Sequence, residues 1–153
     1  MDDLWLGAPP AQATFVFLLP NTPKLPSDAN KAYLEVPNVA ELVALNGNHW
    51  RKIFTIMAKL TAEDAAKWRY HRDNSLFNNI AITFSVDQLV DYKGGLFIVG
   101  KTFEDRLPVN GEPVYGGGAQ LAHVSLPRVW CPYLDYRQFP NSLIEALRAY
   151  ILE

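Results

Sequence analysis

The chain has 153 residues, of which 49% are hydrophobic and 20% are charged, and its formal net charge at pH 7 is -2. This composition excludes a disordered chain, and the length excludes a two-domain kinase, a TIM barrel or a long repeat array. The mild acidity also argues against a protein held to nucleic acid by a global basic field. We expect one α/β domain over residues 1–153, with residues 1–12 as an N-terminal extension.

The first residues of the chain, its apolar runs and its cysteine content indicate the cellular compartment. The first residues carry no basic segment followed by a long apolar run, and the apolar run at residues 15–19 is too short to span a bilayer. Cys131 is the single cysteine, so it can form neither an internal disulfide nor a thiolate metal cage. We therefore expect a cytoplasmic protein that does not contact membranes, with Cys131 as a small buried side chain.

The first half of the chain predicts one strand followed by helices. Residues 14–19 form a β-branched and aromatic run that ends at a proline, which is typical of a buried strand. Residues 39–60 are helical, with a break near Asn46-Gly47-Asn48, where an asparagine can cap the second helix. Thr61 with Asp64 three residues later resembles a capping box that opens another helix to about Tyr70.

The second half alternates strands with helices. The predicted strands are residues 79–85, 95–100, 121–124 and 128–131, with a short helix at 101–107 and a final helix from Pro140 or Asn141. This order favours a three-layer α/β/α fold with a mostly parallel sheet. Ligands of such sheets bind beyond the carboxyl ends of the strands, which here are followed by residues 20–26, 100–102 and 132–140.

Two motif matches are rejected on physical grounds. Residues 95–102 match the letters of a phosphate-binding loop, but four large hydrophobic residues stand where free backbone amides are needed, so a strand is the better interpretation. His71-Arg72-Asp73 and Asn78 match the spacing of a kinase catalytic loop. The chain has neither the glycine-rich loop before them nor the metal-binding motif after them.

Asn21 is the candidate catalytic residue, and Pro20 and Thr22 flank it directly after the first strand. A neutral amide at that position can hold a water molecule or a carbonyl group. Asparagine between prolines is also a common turn residue, so both interpretations stay open.

The loop at residues 132–140 contributes the other candidate binding residues. Tyr133, Asp135, Tyr136 and Arg137 lie within it, and rings combined with a cation suit an unstacked base. The same rings are also compatible with a loop anchored in the core or with a patch that binds a protein.

One stretch of the chain, residues 51–72, is locally basic. It contains six cations against two carboxylates: Arg51, Lys52, Lys59, Lys67, Arg69 and Arg72 against Glu63 and Asp64. A solvated helix face and a surface that follows phosphates are both compatible with this pattern.

Four short sequence motifs follow one another along the chain. The first strand runs into residues 19–23 (LPNTP), a helix opens at residues 46–53 (NGNHWRKI), a later strand ends in Gly100-Lys101, and Trp130-Cys131-Pro132 precedes the aromatic loop. In this order they resemble the uracil-DNA glycosylase superfamily, above all its mismatch-specific branch, from residue 14 onward. The corresponding motifs of that branch are Gly-Ile-Asn-Pro-Gly, Asn-Arg-Phe-Trp, Gly-Lys and a proline-rich second motif after a tryptophan.

The resemblance implies a four-stranded parallel sheet between helices and hydrolysis of the N-glycosidic bond of a flipped base, without metal or cofactor. Asn21 would position the water, and residues 132–137 would fill the gap left by the base. The first hypothesis is therefore a hydrolase acting on a base in DNA or on a nucleoside.

The second hypothesis is a non-catalytic α/β module that binds a ligand or a protein partner. Pro20 and Thr22 stand in place of the glycines of the first motif, and Tyr133, Leu134 and Asp135 replace the core of the second. These departures favour a relative that kept the fold and lost the activity.

Overall fold

The structure is a computed structural model that describes residues 4–152. Within this range the strands are β1 (Trp5–Gly7), β2 (Phe15–Leu18), β3 (Ile80–Thr83), β4 (Gly95–Val99), β5 (Glu112–Tyr115), β6 (Leu121–Ser125) and β7 (Arg128–Cys131). The helices are α1 (Lys31–Glu35), α2 (Val39–Asn46), α3 (Asn48–Thr61), α4 (Trp68–Tyr70) and α5 (Asn141–Ile151). A π turn (His71–Ser75) continues α4, and short 3-10 turns lie at Ala65–Lys67, Leu76–Asn78 and Val86–Leu89.

All seven strands of the described range belong to one sheet, in the order β1-β3-β2-β4-β7-β6-β5. The four central strands β3, β2, β4 and β7 are parallel, and β1, β6 and β5 join antiparallel at the two sides. The α/β class is therefore confirmed. The number of strands is corrected from four to seven, and only the centre of the sheet is parallel.

The central strands are hydrophobic on both faces, as parallel strands covered on both sides must be. Phe17 of β2 stacks on Phe97 of β4 with ring centroids 4.5 Å apart, while Val16 and Ile98 pack on the opposite face. Residues 95–99 thus form a buried strand, which explains why the phosphate-loop letters have no phosphate-loop geometry.

The two faces of the sheet are covered differently. Helices α2, α3 and α5 pack on the face of Phe17, whereas the 3-10 turn Val86–Leu89 and residues 101–109 cover the other face. The expected helix at residues 101–107 is wrong, because this segment forms turns. Few of its residues are apolar and Pro108 ends it, so it cannot supply the second helical layer of the expected three-layer fold.

The helix boundaries differ in part from those expected. The break between α2 and α3 is confirmed at Gly47, which has φ +85°. Asn48 is not the cap of α3, because its Oδ1 accepts from Arg51 Nε at 2.7 Å instead. No helix begins at Thr61; Asp64 caps the following 3-10 turn, where its side chain accepts from the amide of Ala66 at 3.0 Å.

The beginning of the chain belongs to the sheet. Strand β1 pairs antiparallel with β3, and Leu6 is fully buried, so residues 5–8 are part of the domain rather than an extension. The remainder of the expected extension includes residues 1–3, which lie outside the described residues. Cys131 is confirmed as a buried side chain, and burial raises the pKa of its thiol. None of the helices described is long and apolar enough to cross a membrane.

Candidate functional site

A cleft of about 530 Å³ opens where the carboxyl ends of β2, β4 and β7 meet at one edge of the sheet. The three loops expected at this edge converge there. They contribute Pro20, residues 100–102, Pro132, Tyr133 and Gln138 to the lining. The parallel arrangement thus gathers segments that are far apart in the chain around one hollow.

Asn21 and Tyr133 meet beside this cleft. Each follows the end of its strand, and the hydroxyl of Tyr133 donates to Asn21 Oδ1 at 2.9 Å. Both side chains are half-buried. The amide of Asn21 therefore faces the loop after β7 instead of bulk solvent, and its carbonyl oxygen has a defined direction.

His49, in the first turn of α3, completes a chain of hydrogen bonds. Its Nε2 lies 2.8 Å from the hydroxyl oxygen of Tyr133. A tyrosine hydroxyl has one proton, which Tyr133 directs to Asn21, so His49 donates through Nε2–H. The two rings also pack at 5.6 Å with an interplanar angle of 31°. Three separate parts of the sequence therefore orient one amide group.

The electrostatics of Tyr133 support its role as a donor. Burial is the largest cause, and it raises the pKa of Tyr133; the hydrogen bond with Asn21 lowers it in part, and the nearby carboxylate of Asp135 raises it. The hydroxyl consequently keeps its proton at neutral pH, which the bond to Asn21 requires.

Aromatic rings from β6 and β7 form one wall of the cleft. Trp130 donates from Nε1 to the carbonyl of Gly100 at 2.6 Å, which sets the plane of the indole. His123 sits across from Trp130 in the β6–β7 register, and the two rings are 5.8 Å apart. Nδ1 of His123 is buried without a hydrogen-bond partner among the described residues. This buried nitrogen therefore has an unused hydrogen-bonding capacity in a residue that lines the cleft.

Polar side chains surround the mouth of the cleft. Gln120 and Gln138 supply two amides, and Lys101 and Glu104 supply one charge of each sign. Gln120 also donates from Nε2 to the backbone carbonyl of Arg137 at 3.4 Å. Amides carry both a donor and an acceptor, so this rim is suited to the edge of a polar heterocycle.

The structure separates the expected site residues into two groups. Pro20 and Tyr133 line the cleft, and Asn21 is bonded to Tyr133 beside it. Thr22 is exposed and is not part of the lining.

The rest of the expected binding loop points elsewhere. Asp135 accepts from the amide of Arg137 at 2.9 Å and so shapes the loop, while Arg137 itself is exposed. Tyr136 is not part of the cleft lining, and its ring lies 4.9 Å from Nζ of Lys59.

Sequence reasoning assigned no role to His49, His123 or Gln120. His49 lies within the helix-opening segment NGNHWRKI, and this position in a family-like motif was the sequence feature that could have indicated a role for it. His123 and Gln120 reach the cleft because β6 runs antiparallel to β7, which the sequence pattern did not predict. In the described part of the chain, no group of three or more His, Cys, Asp or Glu side chains is placed to hold a metal ion.

The fold and the site together define an α/β protein with a ring-lined cleft at the carboxyl edge of its parallel strands. Residues 5–152 match a family of unknown function, DUF6942, and the chain belongs to this family. No curated protein and no solved structure matches the chain.

Proposed function

We propose that the cleft binds the nucleobase of a nucleoside or of DNA, and that the protein hydrolyses the N-glycosidic bond with a water molecule held by Asn21. The observation that carries this proposal is the 2.9 Å hydrogen bond from Tyr133 to Asn21 Oδ1 at the side of a ring-lined cleft. It supports an oriented amide at the position where the uracil-DNA glycosylase resemblance expects one.

The shape and chemistry of the cleft support a planar heterocycle as ligand. Its volume of about 530 Å³ falls within the range of about 300–1,000 Å³ common for small-molecule sites. Trp130, Tyr133 and His123 offer ring faces for stacking. The amides of Gln120 and Gln138 offer donors and acceptors to the edge of a base.

Asn21 is suited to hold the attacking water. A carbonyl oxygen has two lone pairs, and Tyr133 uses one of them, so the second can accept a hydrogen bond from water. The oxygen of that water then bonds to the anomeric carbon while the bond to the base nitrogen breaks. The base leaves with the electron pair and takes up the proton that the attacking water loses. Glu104, which lines the same cleft, is the candidate group to accept this proton from the water and return it to the leaving base.

The test is base release from uracil-containing and mismatched oligonucleotides and from nucleosides. Asn21→Ala should lower the rate by about 100-fold or more, since a water-positioning group contributes on that scale. Asn78→Ala serves as the matched control, because Asn78 is exposed and distant in the fold from the cleft lining. Activity that survives Asn21→Ala would remove Asn21 from the mechanism.

A non-catalytic binding module is the second candidate. The specific observation in its favour is that Asn21 Oδ1 already accepts from Tyr133, a bond that by itself holds two loops together. Calorimetry with nucleosides and free bases separates the two candidates. Binding in the cleft without release of any base would assign the site to ligand binding alone.

A further inference from the structure

The basic stretch of the sequence folds around a single indole. Nζ of Lys59 lies 4.8 Å from the centroid of the Trp68 ring, and the guanidinium carbons of Arg69 and Arg72 lie at 4.9 Å and 5.3 Å. Lys59 is also 4.9 Å from the ring of Tyr136. We refer to Lys59, Trp68, Arg69, Arg72 and Tyr136 as the Trp68 cluster.

The positive charge of this cluster is only partly neutralised. Arg72 forms an ion pair with Asp73 at 2.8 Å, and its side chain is 16% exposed. Nζ of Lys59 donates to the neutral amide oxygen of Asn141 at 3.0 Å. Arg69 is exposed and forms no ion pair with any residue in the range 4–152. Three cations lie within 5.3 Å of one ring centroid, so an anion placed beside them would be stabilised.

In the described range, the carboxylates on the neighbouring elements form no ion pair with Lys59 or Arg69. Glu63 and Asp64 lie between α3 and α4, and they belong to the lining of a separate cavity that also contains Lys67. The negative charge of Asp64 raises the pKa of Arg148, against the larger lowering caused by burial. Arg148 is a further cation, and its Nη1 donates to the backbone carbonyl of Lys59 at 2.8 Å. Glu145 lies in α5 between Asn141 and Arg148, and Asp135 precedes Tyr136, yet within residues 4–152 neither forms an ion pair with Lys59 or Arg69.

The Trp68 cluster is connected to the cleft by two elements. The loop at residues 132–140 places Tyr133 on the cleft and Tyr136 on the cluster. Helix α3 carries His49 at the cleft side and Lys59 ten residues later, and ten residues of helix extend about 15 Å.

We propose that the Trp68 cluster binds the phosphate backbone of a nucleic acid strand, one base of which occupies the cleft. This inference rests on the proposed function and makes its substrate a polymer instead of a free nucleoside. Cations beside ring faces are the combination that binds single-stranded nucleic acid. The cations lie over the half-buried ring of Trp68, and Tyr70, two residues later in the chain, offers a ring that is 68% exposed.

The distance between the two sites sets the length of substrate required. The rise along α3, about 15 Å, corresponds to about four to five nucleotides at the stacked rise of about 3.4 Å each, and to fewer in an extended strand. A mononucleotide would therefore reach the cleft without reaching the cluster, whereas a strand of twenty nucleotides would contact both.

The test compares two double variants with the same change in charge. Lys59→Gln with Arg69→Gln removes two cations of the cluster, and Lys31→Gln with Lys93→Gln removes two exposed cations on other elements. We expect the cluster variant to bind a labelled 20-nucleotide strand about ten times more weakly and to lower the slope of log K against log salt by about 1 to 2. The control variant should bind the 20-nucleotide strand as the wild type does, and binding of a mononucleotide should be the same in all of these proteins.

Arg69→Gln alone provides a further check on folding, because Arg69 is exposed and its side chain contacts the ring of Trp68. It should weaken binding of the long strand about threefold while leaving the thermal midpoint unchanged. Equal weakening by the cluster and control variants would overturn the proposal. Displacement of the strand by polyglutamate as efficiently as by an unlabelled strand of equal charge would also overturn it and assign the surface to acidic peptides.

The outcomes separate this inference from the proposed function. Weaker binding by the cluster variant with no base release by the wild type would support the surface and contradict the hydrolase. Equal base release from long strands by the wild type, the cluster variant and the control variant would support the hydrolase. It would contradict binding of the strand by the Trp68 cluster.

Discussion

The hydroxyl of Tyr133 donates a 2.9 Å hydrogen bond to Oδ1 of Asn21, and these residues are 112 positions apart in the chain. The bond joins the loop after β2 to the loop after β7 at the edge where the central strands end. His49 donates to the same hydroxyl oxygen from α3. The direction of the Asn21 amide is therefore set by tertiary contacts. The first prediction concerns the Tyr133 hydroxyl, which makes both of these hydrogen bonds.

Tyr133→Phe removes this hydroxyl and keeps the ring. Because a half-buried amide and an imidazole both lose a partner, we expect the free energy of unfolding to fall by about 1–2 kcal/mol. We also expect base release to fall by about tenfold, since each 1.4 kcal/mol of lost orientation corresponds to that factor. Urea unfolding and a base-release assay measure the two effects.

Tyr136→Phe is the matched control, from the same loop. Its ring packs beside Lys59, and its hydroxyl makes no hydrogen bond among the described residues. Its stability and its rate on a nucleoside should stay close to those of the wild type. Equal losses in the two variants would show that the Tyr133 hydroxyl does not orient Asn21.

The second prediction concerns the packing of the glycine-rich loop between β5 and β6. A Cβ built on Gly116 would lie 2.3 Å from the backbone nitrogen of Leu143 in α5. Backbone atoms of a helix cannot move aside as a side chain can, so Gly116→Ala should destabilise the protein by about 1–3 kcal/mol. Gly118→Ala makes the same substitution two residues later, where the nearest atom is Oε1 of Gln120 at 3.7 Å. Thermal unfolding of Gly118→Ala should match the wild type; equal destabilisation would contradict the close approach to α5.

The third prediction concerns pH, through a chain of hydrogen bonds beneath α3. Thr61 donates from Oγ1 to the carbonyl of Met57 at 2.8 Å, so the same hydroxyl accepts from His71 Nε2–H at 3.0 Å. Nδ1 of His71 then accepts from the hydroxyl of Ser75 at 2.8 Å. This chain requires a neutral imidazole, because a protonated one has no acceptor for Ser75.

Burial lowers the pKa of His71 below its usual 6.5, and the charge of Glu63 opposes this only partly. The unfolded chain therefore binds a proton at a higher pH than the folded one. The contribution of His71 to stability is complete above about pH 6.5 and is lost as the pH falls from that value through the folded pKa. Urea unfolding at pH 7.5 and pH 5 should show a larger loss for the wild type than for His71→Gln. Identical losses would contradict a neutral, half-buried imidazole at His71.

The sequence alone predicts those strands and helix breaks that depend on a local pattern of residues. The continuous apolar runs of β2 and β4 predict buried parallel strands, and the Asn46-Gly47-Asn48 break between α2 and α3 is confirmed. The rule that ligands bind at the carboxyl ends of parallel strands selected the three loops that line the cleft. These predictions depend on hydrophobic period and on chain direction, which the order of residues determines.

Only the tertiary structure decided which side chains share the site. Tyr133 and Tyr136 are three residues apart in one loop, yet the first bonds to Asn21 and the second packs beside Lys59. His49 reaches the same hydroxyl from another element, and antiparallel pairing of β6 with β7 sets His123 against Trp130. The direction of each of these side chains depends on contacts between segments more than seventy residues apart or on the register of two strands. Neither quantity is encoded in the local pattern of residues, because both result from how the whole core packs.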